Sequence, residues 1–138
     1  AIARGAENLV YKKVKSELND YMGRVFEEIC KQYLIRKNRM GQIEPVFEKI
    51  GKYYYDNQAE HTNGEFDVVT EDEKGYVFYE VKFRKNPITD AMIEEEISQV
   101  KATGLNCYKY VFISRSGFQG SQRESVQFIT LEELYQNE

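Results

Sequence analysis

The chain has 138 residues, 41% of them hydrophobic and 30% charged, which suits one domain with one core and is too apolar for intrinsic disorder. No apolar run approaches the roughly 20 residues that cross a bilayer, and no signal-peptide stretch opens the sequence, so a cytoplasmic protein is expected. The formal net charge of −4 argues against a strong stand-alone nucleic-acid binder, although Lys and Arg cluster in KKVK (12–15), KFRK (82–85) and between Arg115 and Arg123.

The opening AIARGAENL, without methionine, fits either a piece of a longer protein or a processed chain. Val10, Val14 and Leu18 recur every four residues and predict a helix over 6–18, with Asn19-Asp20 as a break and cap. Residues 1–20 are therefore expected to be a helical lead-in, the end of a linker from a preceding domain, and 21–138 the domain itself. Met22, Val25, Phe26, Ile29, Cys30, Tyr33 and Leu34 follow the i, i+3, i+4, i+7 pattern and predict a second helix with one apolar stripe. It fades through RKNRMG (36–41).

IGKYYY (50–55) and GEFDVVT (64–70) read as strands on either side of a polar loop, which carries His61 as a solvated residue. EDEKG (71–75) has turn chemistry with glycine last, and YVFYEVKF (76–83) is a third strand rich in aromatic and β-branched residues. If Glu71 pairs with Tyr76, the hairpin register puts Asp67 opposite Glu80. Asn86-Pro87 ends that strand, and Thr89 or Asp90 caps a helix that runs to about Thr103 and stops at Gly104. YKYVFISR (108–115) and SVQFIT (125–130) are further strands, and Thr130 with Glu133 forms a capping box for LEELYQ. Three strands in series, a helix, then more strands imply an α/β fold with a mixed sheet flanked by helices.

Cys30 and Cys107 lie far apart, belong to no CxxC pair, and have only one histidine to accompany them, which argues against zinc and for reduced core thiols. The informative charges are in the hairpin. Glu80 and Lys82 are two residues apart and share a strand face, with Asp67 expected across from them. Two converging carboxylates suit a hard cation such as Mg²⁺, and a lysine beside it can orient a water or neutralise charge on a phosphate. The plainer alternative is a solvated face on which Lys82 pairs with Asp67 or Glu80. On the second helix, Glu28 projects roughly 145° from the centre of the apolar stripe, toward water, and Glu27 roughly 115°, at the boundary, where it can reach the sheet edge. Gln99, in SQVK, is either a solvated helical residue or a contact to a substrate backbone.

A helical glutamate in YMGRVFEEIC, an aspartate in GEFDVV, then E-x-K in YEVKF, followed by a helix and a strand, resembles the PD-(D/E)xK nuclease superfamily. With IGKYYY, the wording is similar to a domain at the C-terminus of prokaryotic AAA-type ATPases. Phe66 stands where the name-giving proline would be. The resemblance implies a restriction-endonuclease-like αβββαβ core and Mg²⁺- or Mn²⁺-dependent hydrolysis of DNA phosphodiesters. It implies that Asp67 and Glu80 ligate the metal, with the Val81 carbonyl, that Lys82 positions the water and that Glu27 supports the site. It implies as partners DNA and an ATPase domain of the same longer chain, with a second copy of the chain left open. The alternative is a non-cleaving DNA-binding or regulatory module attached to that ATPase.

Overall fold

The computed structural model describes residues 2–121 and 123–135. The elements run α1 (Ile2–Arg39), β1 (Lys49–Asn57), β2 (Thr62–Asp72), β3 (Gly75–Lys82), α2 (Asp90–Ala102), β4 (Cys107–Ser114), β5 (Val126–Thr130) and α3 (Leu131–Tyr135). This is an α/β fold. Its one sheet has the order β1-β2-β3-β4-β5, antiparallel from β1 to β3 and parallel from β3 to β5. The parallel step from β3 to β4 needs a crossover, and α2 supplies it.

The expected break at Asn19-Asp20 does not occur, and one helix of 38 residues replaces the two anticipated. Asn and Asp are poor helix formers, but each costs only about 0.7 kcal/mol in a helix interior, and no Pro stands within the helix to break it. The single apolar stripe expected after residue 21 is divided. Phe26, Cys30, Tyr33 and Leu34 are buried against the sheet, whereas Val25 and Ile29 point away and stay partly exposed.

Each sheet face has its own core. Val68, Val77, Tyr79, Val111, Ile113 and Ile129 face α1 and α3. Phe66, Val69, Phe78, Tyr110, Phe112 and Val126 face α2, which contributes Ile93 and Val100. The α2 cap is as expected: the Thr89 side chain accepts from the Met92 N–H at 3.4 Å, and Gly104 has the positive φ that lets the chain leave the helix. Thr130 caps α3 through the Glu133 N–H at 3.3 Å; Gln136 of the expected LEELYQ helix lies outside the described residues.

The β2–β3 hairpin closes on Glu73-Lys74, tighter than the four-residue loop expected, because Asp72 pairs with Gly75. Gly75 has φ +139, and a Cβ there would strike the Asn106 carbonyl, which accepts from the Tyr76 N–H at 2.9 Å. That contact fixes where β4 meets the hairpin. Glu71 pairs with Tyr76, as the sequence requires.

Phe78 is 2% exposed and packs edge-on to Phe66 with centroids 4.9 Å apart. Phe78→Ala should cost about 3–5 kcal/mol in urea unfolding. Leu9→Ala, at a position 71% exposed, should stay within about 0.5 kcal/mol of the parent.

Candidate functional site

The site forms where β2 and β3 stop pairing. The last hairpin pair is Val68 with Tyr79, and beyond it the two strands diverge. On the β1 side the register shifts between Gly51 and Tyr53, so that Asp67 and Val68 together oppose Lys52. This is a β-bulge on β2, and one extra residue turns the following side chain to the other face. Phe66 and Val69, three residues apart, therefore sit in the same core cluster.

For Asp67 the consequence is decisive. A regular hairpin would have set it beside Glu80 on the α2 face, as the sequence register suggested. The bulge instead turns it to the α1 face, where its partners are Lys52, at 3.9 Å, and Glu27. Burial, followed by the charge and hydrogen bonding of Asp67, raises the Glu27 carboxyl to about 7. The helical glutamate and the strand aspartate do come together. Glu80 and Lys82 come together too, on the α2 face, with Lys82 Nζ 3.0 Å from Glu80 Oε1. Among the described residues no hydrogen bond or ion pair joins Asp67 to Glu80 or Lys82, and no three His, Cys, Asp or Glu side chains are arranged to hold a metal ion. Asp67 and Glu80 thus engage different lysines, Lys52 and Lys82.

Glu80 and Lys82 open into a cleft of about 290 Å³ between the ends of β3 and β4 and the flank of α2, lined also by Glu65, Arg84, Glu96 and Gln99. Gln99 therefore faces the cleft. Glu96 was not anticipated. It lies three residues after Ile93 and four before Val100, the two buried residues of α2, so it occupies an apolar-face position of that helix. A charged residue on that face was the sequence signal. Burial and its contact with the Glu80 carboxylate push the Glu96 carboxyl up to about 9. Two carboxyl pairs, Glu27–Asp67 and Glu80–Glu96, thus flank the end of the hairpin on opposite faces. The two carboxyls of either pair are oxygen donors of the kind that a hard metal ion takes.

Of the basic clusters, Arg84 reaches the cleft, while Arg123 is engaged by Asp90 at 3.5 Å and Glu94 at 3.3 Å. The Arg115 guanidinium lies over the Phe83 ring at 4.5 Å. Cys30 is buried and Cys107 partly so, both as free thiols. His61 is exposed in the β1–β2 loop with φ 56. No helix of the described residues is long and apolar enough to cross a membrane.

The folded Glu96 carboxyl keeps its proton to about pH 9, whereas an unfolded one releases it near 4.5. The folded state binds more protons across that window, so this group makes stability fall as pH rises through it. In metal-free buffer Glu96→Gln should melt above the parent at pH 8, by on the order of 3 °C, and the gap should close toward pH 4.5. A gap independent of pH would show that Glu96 is not held neutral.

Comparison with known proteins places the chain among relatives without an assigned activity. It is 27% identical over 128 residues to the uncharacterized protein MJECL04 of Methanocaldococcus jannaschii, an alignment that takes 89% of this chain and 28% of that protein. The chain thus spans little more than a quarter of that relative's length. The crystal structure of AF1548, a protein of unknown function, superposes with a TM-score of 0.47 at 14% identity, covering 74% of this chain and 64% of the other. Residues 1–101 match the model of a family described as archaeal and bacterial proteins of unknown function, and the chain belongs to that family, DUF234.

Proposed function

We propose that this is a nuclease-like domain of the PD-(D/E)xK type that hydrolyses DNA phosphodiesters with a divalent cation, as the C-terminal part of a longer ATPase chain. The observation that carries the reading is the cleft in which Glu80, Lys82 and Glu96 meet beside Arg84 and Gln99. The element order α-β-β-β-α-β, with Glu27, Asp67 and E-x-K in sequence, supports the same reading.

The cation would be held by Glu80 and Glu96, two carboxyls in one cleft. Mg²⁺ commonly takes only one or two carboxylates and completes its shell with water and substrate phosphate. When bound, it supplies Lewis-acid stabilisation of the phosphate and a more acidic water. Lys82, anchored by Glu80, donates to the attacking water or to the oxygen that gains charge. Arg84 and Gln99 hold the substrate backbone by charge and hydrogen bonding. Glu27 and Asp67, on the other face, support the strand end and take no part in the chemistry.

One observation favours a second reading. The bulge separates Asp67 from Glu80, which suits a module that keeps the fold and the cleft for DNA binding or regulation without cleavage.

Calorimetric titration with Mn²⁺ and a plasmid-nicking assay separate the readings. Glu80→Gln and Glu96→Gln should each weaken Mn²⁺ binding at least about tenfold and abolish nicking. Lys82→Ala should retain Mn²⁺ binding and lose about 10²–10³-fold in rate. Asp67→Ala should leave both nearly intact. If Asp67→Ala removes metal binding as completely as Glu80→Gln, the ligand set is the one the hairpin register first suggested. A wild type that neither binds Mn²⁺ nor nicks DNA, even within the full-length chain, leaves the non-cleaving module.

A further inference from the structure

Among the described residues, the N-terminal half of α1 packs against no other element. Residues 5–21 are exposed along their whole length, yet the segment is not polar all round. Projected at 100° per residue, Val10, Tyr11, Val14, Leu18 and Tyr21 fall within an arc of about 100°. Each is 56–65% exposed. Val25 and Ile29 continue the same arc toward the domain, which is why they turn away from the sheet core. There the stripe ends in an apolar groove between α1 and α3, lined by Val25, Ile29, Leu134 and Tyr135 with Glu28, Gln32 and Arg36 at its edges. A lone helical stretch of this length is marginal in water, so an apolar face on it calls for a partner.

We propose that the partner is a second copy of this chain, packed antiparallel along α1 about a two-fold axis between Asn19 and Asp20. Tyr11, Val14, Leu18, Tyr21 and Val25 keep the alternating three- and four-residue spacing of a helix-pairing seam. In this register Leu18 of one copy packs on Tyr21 of the other, Val14 on Val25, and Val10 on Ile29, so the N-terminal half of each helix fills the groove of its mate. The flanking charges choose the register. Glu17 of each copy meets Arg24 of the other, twice by symmetry, and Glu7 approaches the Gln32–Arg36 edge of the groove.

A parallel pair would instead set the two grooves side by side, so that neither is filled by the N-terminal half of the other copy. Antiparallel pairing from residue 7 to residue 32 keeps the helices in contact over about 39 Å at 1.5 Å per residue. It covers on the order of 700 Å² per copy, close to the ~800 Å² per partner of a stable interface. The interface is isologous, as a two-fold requires. It lies on the opposite side of α1 from the sheet and is independent of what the cleft does.

Sedimentation velocity on the 138-residue chain should give a species of twice its 16.3 kDa mass at micromolar concentration. Leu18→Glu, at a position exposed in the single copy, should keep the far-UV circular dichroism of the β-sheet domain and weaken dimerisation on the order of 100-fold. Glu17→Arg and Arg24→Glu should each weaken it, and the double variant E17R/R24E should recover it. A wild type that stays monomeric at high micromolar concentration would assign the stripe to another occupant and overturn the proposal. So would a Leu18→Glu chain that dimerises as tightly as the parent, or a charge swap that fails to recover.

Discussion

The bulge on β2 is the constraint on which the site depends. A strand has a side-chain period of two, so one extra residue inverts everything beyond it. Here the extra residue sits where Asp67 and Val68 share Lys52 as their neighbour. It lets Phe66 and Val69 enter the same core with Phe78, and it turns Asp67 away from the strand that carries Glu80. The aromatic cluster explains why the bulge is tolerated. Phe66 meets Phe78 edge-on at 4.9 Å, and a regular strand would have turned that ring to the other face.

Once the acids are divided between two faces, each needs another way to be buried. Burial and a neighbouring carboxylate raise both glutamates, Glu27 beside Asp67 to about 7 and Glu96 beside Glu80 to about 9. A lone ionised carboxylate would be costly there, and a protonated one beside an ionised one is not. Lys82 lies beside one pair and Lys52 beside the other, where it also meets Glu65 at 3.7 Å. The cleft at the end of parallel β3 and β4 has the topological position where open α/β sheets commonly bind ligands.

α1 joins the two halves of the molecule's behaviour. One of its faces closes the sheet through Phe26, Cys30, Tyr33 and Leu34 and brings Glu27 to Asp67. The other runs its full exposed length with tyrosine, valine and leucine. A helix that must satisfy two surfaces cannot be read as one stripe, and the angle between its apolar groups is the signature of that double role.

The sequence by itself determined the strands, the later helices and the pairing of the β2–β3 hairpin. Alternation and turn residues located the strands, Thr89 and Thr130 marked their helices, and the Glu71–Tyr76 pair followed from where the turn residues lie, because those signals are local. It also singled out Glu27, Asp67, Glu80 and Lys82 as candidate site residues, with Gln99 as either a solvated residue or a further contact. Only the tertiary structure decided how they are grouped. A bulge costs little locally and is selected by distant packing, here of Phe66 on Phe78, so neither GEFDVVT nor YVFYEVKF announces it. The continuity of α1 through Asn19-Asp20 was likewise undecided locally, since the small propensity cost of two polar residues is set against the cooperativity of the turns on either side. Glu96 lay between these cases: its place on the apolar face of α2 was written in the spacing from Ile93 and Val100, but its carboxylate partner was on a strand that only folding brings near.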